Sequence, residues 1–108
     1  MTDMTEMTDT ELPWTGGWTF LTNHSHVLIC LTRDPDSRLR DLAEQVGITE
    51  RAVQGIVNDL EAAGCIVRRR EGRRNRYSIV ADRPMRHRVE RGHAISELLD
   101  AMGTVESR

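Results

Sequence analysis

Between Trp18 and Gly103 the chain alternates apolar clusters with single breakers, and the spacing inside each cluster names its element. Val27, Leu28, Ile29 and Leu31 follow a capping pair, Thr22-Asn23, and predict a first helix over His24–Thr32. Asp34-Pro35-Asp36 ends it, because proline disfavours helix at the residue before it. Ser37 is then the expected cap of a second helix, Arg38–Val46, whose Leu39, Leu42, Ala43 and Val46 fall on one face; Gly47 stops it. Thr49 caps a third, Glu50–Ala63, and Gly64 supplies its left-handed stop. Two β-like runs, Cys65–Arg70 and Arg76–Val80, flank Glu71-Gly72-Arg73-Arg74-Asn75 and predict a hairpin. In it Cys65, Val67, Tyr77 and Ile79 alternate with polar neighbours and are expected to face the core, Cys65 as a small hydrophobe. Asp82 and Pro84 open a long last helix, Met85–Met102, closed by Gly103.

Before Trp18 the pattern vanishes. Residues 1–17 repeat Met-Thr-Asp/Glu and run into Pro13, Gly16 and Gly17, so a disordered acidic extension is expected, with Trp14 and Trp18 pinning its end. The chain then divides into this extension, one domain over 18–102 and a tail over 103–108, a mostly α fold with a small β-hairpin.

Composition narrows the class. At 108 residues one domain is expected, with little room for a closed active-site cavity. No apolar run approaches the roughly 18 residues a membrane span needs, and the acidic opening has no signal-peptide core. Two cysteines, Cys30 and Cys65, are too few for a disulfide scaffold and fit a reducing, cytoplasmic setting. The net charge of −2 conceals two opposed regions. All fifteen basic residues are arginine, and ten of them lie between Gly64 and Arg91 against only Glu71, Asp82 and Glu90. Asp3, Glu6, Asp9 and Glu11 make the first seventeen residues purely acidic. A dense arginine stretch is a solvated face or a nucleic-acid footprint, since the guanidinium fork grips phosphate.

The second and third helices decide between these. A small residue, Ala43, allows a close helix crossing; Gly47 takes the turn; Ile48, Val53 and Ile56 face back onto the second helix. That constellation, followed at once by a basic hairpin, is a helix-turn-helix with a wing. At about 100° per residue, Ala52, Val53, Ile56, Val57, Leu60 and Ala63 form one sector of the third helix. Arg51, Gln54, Gly55 and Asn58 form the other, with Thr49 at its start, and these side chains are base-reading types for the major groove. Gly55 lets the helix approach DNA closely. Arg73, Arg74 and Arg76 are the expected backbone-holding residues of the wing.

The segment LRDLAEQVGITERAVQGIVNDLEAAGCIVRRREGRRNRYSIV resembles the winged helix-turn-helix regulators of bacteria and archaea. With its flanking first and last helices, the chain looks like the ArsR/SmtB metalloregulators, with the MarR family a near neighbour. The resemblance implies a homodimer through the first and last helices, using Val27, Leu28 and Leu31 with Val89, Ile95, Leu98, Leu99 and Met102. It also implies a metal effector. Arg38–Leu42 has no cysteine, which removes the thiolate site many members carry on that helix. Members with last-helix ligands direct attention instead to His87, His93 and Glu97, with His24 and His26 of the first helix. His93 and Glu97 share a face, and imidazole with carboxylate suits nickel or zinc.

The expected function is thus a repressor that binds a double-stranded DNA operator as a dimer and is released by a divalent metal. A MarR-like regulator with a small-molecule effector, or none, is the second reading. A protein-interaction winged helix that binds no DNA is the third. No P-loop, HExxH or nucleophile–base cluster points to an enzyme.

Overall fold

The computed structural model describes residues 17–103, so the expected extension and tail lie outside it apart from Gly17 and Gly103. The order is α1 (Asn23–Arg33), α2 (Leu39–Val46), α3 (Glu50–Ala62), β1 (Ile66–Glu71), β2 (Arg74–Ile79) and α4 (Ile95–Met102). Three helices and a two-stranded antiparallel hairpin thus form a winged helix, with the short α4 closing it.

α1 is the axis of the core. Thr22 Oγ1 accepts the Ser25 N–H at 3.2 Å and starts the helix. Five consecutive residues, Val27 to Leu31, are buried, more than one amphipathic stripe supplies. The reason is that α1 meets α2, α3, β2 and α4, so it is covered on nearly every side. Val27, Leu28 and Leu31, expected at a dimer contact, are therefore held inside their own domain at 0–3% exposure. Burial also pushes the Cys30 thiol above its ordinary pKa, against the opposing pull of Arg33.

Ser37 does not cap α2. Its N–H and hydroxyl both donate to the Asp34 carbonyl, at 3.1 and 2.9 Å, which turns the side chain inward and buries it. Arg38 takes the cap position instead, and Asp41 Oδ2 reaches back to accept its N–H at 3.2 Å. Gly47 ends α2 at φ +84°, and its N–H and that of Ile48 both return to the Ala43 carbonyl. Thr49 Oγ1 then accepts the Ala52 N–H at 3.0 Å, and Val53, Ile56, Val57 and Leu60 carry α3 into the core.

The hairpin is tighter than the pattern predicts. Glu71 pairs with Arg74, leaving a two-residue turn, Gly72-Arg73, with Gly72 at φ +64°. Arg74 and Arg76 are thereby strand residues. Cys65, just before β1, is half-buried against the core as expected, but within β1 the inward residue is Ile66 and not Val67. Ile66 pairs with Ile79 and Arg68 with Tyr77, so Ile66 and Tyr77 share the core face at 2% and 4% exposure, while Val67 stands out at 50%.

The long last helix is not formed. Pro84 bridges Ala94, Met85 N–H donates to the His93 carbonyl, and Ile95 N–H donates to the Arg83 carbonyl, closing residues 84–94 into a loop. That loop carries one 3₁₀ turn, Arg88–Glu90, and a left-handed Gly92 at φ +91°. From Arg86 to His93 the only large apolar side chain is Val89, 80% exposed, so a helix there would have no face to bury. α4 begins where burial begins, with Ile95 and Leu99 packed against the core.

Candidate nucleic-acid interface

The outer face of α3 is polar and open. Arg51, Gly55 and Asn58 are exposed, Gln54 is half-buried, and Gln54 Nε2 donates to Asn58 Oδ1 at 3.0 Å. A side chain built at Gly55 meets nothing within 4 Å, so its absence leaves a flat approach along the helix. The structure thus brings Arg51, Gln54, Gly55 and Asn58 together on one face, with Thr49 at its amino end.

The wing divides its arginines by face. Arg73 stands exposed at the tip. Arg68 lies on the inner face beside Tyr77 and donates to Glu61 Oε1 at 2.5 Å; this bond holds its guanidinium still more firmly protonated. Arg70 Nε donates to the Gly72 carbonyl at the turn. On the outer face, Arg76 lies opposite Arg69, and one Arg76 nitrogen donates to both Asp36 oxygens at 2.8 and 2.9 Å. Arg74 donates to the Asp36 carbonyl. Arg83 belongs to none of this: its Nε caps the end of α3 on the Ala63 carbonyl at 3.0 Å. The ten clustered arginines are therefore not one binding stripe.

Two residues escaped sequence reasoning. Arg38, with Ser37, Leu39, Arg73, Arg74, Asn75 and Tyr77, borders a small pocket of about 190 Å³ between the wing and the start of α2. Asp36 anchors two wing arginines 38 and 40 positions away. The Tyr77 N–H to Pro35 carbonyl bond, 3.1 Å, lays the α1–α2 loop along β2 and brings them together. No local spacing announces such a contact.

The expected metal ligands do not converge. His24 Nε2 lies 2.9 Å from Asp59 Oδ2, His26 Nδ1 pairs with Asn23 Oδ1, and His87 Nδ1 accepts the Val89 N–H. His93 Nδ1 lies 2.6 Å from Glu97 Oε1, and Glu97 Oε2 accepts the Ala94 N–H at 3.1 Å. Both bonds favour the ionised carboxylate and hold Glu97 below its ordinary pKa. Among the described residues, no three His, Cys, Asp or Glu side chains form a metal-sized group, so these residues do not fit a metal centre within one chain. His24, Asp59, His87 and Glu90 instead border a broad, mainly apolar groove of about 1010 Å³, floored by Leu28 and Leu60.

Residues 21–67 match the family model of winged helix-turn-helix DNA-binding domains. The fold is that of a winged helix-turn-helix, and over this span it is similar to DNA-binding members of that class. The matched span runs from before α1 to the start of β1, so it contains the whole helix-turn-helix. It is a match to the broad winged-helix class and does not reach the ArsR/SmtB or MarR level. Comparison with curated proteins and with solved structures gave no significant match. No helix among the described residues is long and apolar enough to cross a membrane.

Proposed function

We propose that this winged helix is a sequence-specific transcriptional regulator whose α3 reads bases in the major groove while the wing holds the backbone. The observation that carries the reading is the polar outer face of α3, with Arg51, Gly55 and Asn58 exposed and Gln54 half-buried, within a span that matches a DNA-binding family model. A cytoplasmic setting is part of this reading. The test is selection of duplexes from a random pool, followed by affinity measurements on the selected site. Arg51→Ala is expected to relax preference at one base position, and Arg73→Ala to weaken all sequences alike. Uniform loss in both variants removes α3 from the role of reader. Absence of any DNA binding leaves the protein-interaction reading, in which the wing meets an acidic protein.

The finer parts of this reading are a two-fold dimer on a near-palindromic operator, repression, and release by an effector. For a nickel or zinc effector the support is the His93–Glu97 pair, which is half a ligand set and needs the rest from a second protomer. For a small-molecule effector the support is the apolar groove. Calorimetry with nickel and zinc on the native chain and on His93→Ala separates them: metal binding lost in the variant supports the first, and no metal binding the second.

A further inference from the structure

The outer face of the wing carries Arg69, Arg74 and Arg76, and a single carboxylate from outside the hairpin is set into it. That carboxylate, Asp36, receives Arg76 through both oxygens, and its own carbonyl receives Arg74. The carboxylate is an anion held by one guanidinium group, Arg76, with the Arg74 guanidinium beside it on the backbone carbonyl, and a DNA backbone phosphate is an anion that guanidinium groups hold in the same way. The loop that bears Asp36 does not depend on this pairing. Its position along β2 is secured by the Tyr77–Pro35 backbone bond, and its turn by Ser37 and by the Asp36 N–H donating to Asp34 Oδ1.

We infer that Asp36 is a built-in stand-in for DNA phosphate, which occupies the wing's arginine face in the free protein and exchanges with a backbone phosphate on binding. The inference rests on the DNA reading of the same wing. The pair is suited to exchange because both members are about half exposed, at 46% for Arg76 and 51% for Asp36, so water screens it and breaking it is cheap. Its effect on DNA is larger than its effect on the fold. A carboxylate beside the duplex repels phosphate and cancels one arginine in the count of neutralised charges that sets affinity and salt dependence. Asp36 thereby lowers affinity for all duplexes alike, operator and bulk DNA, without touching the base-reading helix.

The test compares the full native chain with Asp36→Asn, Asp36→Ser and Asp100→Asn by fluorescence anisotropy on a mixed-sequence duplex, across a sodium chloride series. Asp100 is an exposed acid on α4, outside the wing, and controls for net charge alone. Thermal melts establish that each variant is folded. The expected result is that both Asp36 variants bind roughly three- to tenfold tighter at low salt, with log affinity against log salt steeper by about one unit. Asp100→Asn changes neither appreciably. Asp36 variants that match Asp100→Asn overturn the inference. Weaker binding by the Asp36 variants also overturns it and makes Asp36 a brace for the wing. If the native chain binds no duplex at any salt, the DNA reading itself falls; if it binds and the variants do not differ, only the exchange falls.

Discussion

Gly55 puts stability and function in opposition at a single residue. It sits inside α3, exposed, with open space where a side chain would stand. Glycine within a helix costs about 1 kcal/mol relative to alanine. Gly55→Ala is therefore expected to raise the melting temperature by several degrees while weakening duplex binding, because the added methyl group holds the helix off the groove floor. Higher stability with unchanged affinity shows that α3 does not approach DNA at this point. Gly103 behaves in the opposite way. It has an ordinary φ of −82°, but a methyl group there meets the Leu99 carbonyl oxygen and Thr32 Cγ2 at 2.8 Å each. Gly103→Ala is expected to cost on the order of 1–3 kcal/mol by forcing α4 away from α1, read as a lower denaturation midpoint at unchanged slope.

Among the elements described, α4 is the least secured: two of its eight side chains are buried, and it packs against α1 alone. Its first turn depends on Glu97, which accepts from Ala94 and bonds His93. The Glu97 carboxyl lies below its ordinary value of 4.5, so the ionised form favours the fold. That contribution is present above about pH 4.5 and is lost as pH falls through the lowered value. Melting curves of the native chain and Glu97→Gln, followed from pH 7 to pH 3, are expected to converge at the acid end. Curves that stay parallel throughout exclude Glu97 from the stability of α4. The hairpin shows the complementary case, in which an element is secured from outside. β1 and β2 alone are a two-stranded ribbon, marginal in water, and they persist because Ile66 and Tyr77 reach the core and Pro35 lies along β2.

For the whole molecule, the proposed dimer needs an apolar face that the fold leaves open. The apolar residues of α1 are enclosed in the core, and α4 lacks the length for a long helical interface. The groove face, where Leu21, Met85 and Leu98 are among the lining residues, is the apolar surface on which the proposed dimer is tested. Light scattering is expected to give twice the chain mass of 12.3 kDa at micromolar concentration, and Leu98→Glu to return the monomer with its helical circular dichroism intact. A monomer in the native chain, bound one per site, removes the two-fold operator from the proposed function.

The division between sequence and tertiary structure follows the range of the interactions involved. The starts of α1 and α3, the end of α2 at Gly47 and the polar face of α3 were legible, because caps, turns and helical periodicity act over four residues or fewer. Three features needed the folded chain. Ser37 looks like a cap in isolation, but the turn at Asp34 claims its hydroxyl. Val67 and Ile66 are equally plausible inward residues until the two-residue turn sets the register, and then Ile79 and Tyr77 select Ile66. Residues 84–94 begin with a helix-opening proline and carry acceptable helix formers, yet all but Met85 and Ala94 are exposed, and the Pro84–Ala94 bridge closes them into a loop. The meeting of Asp36 with Arg74 and Arg76 is of the same kind. It depends on where a loop comes to rest against a strand some forty positions later, which no window of sequence contains.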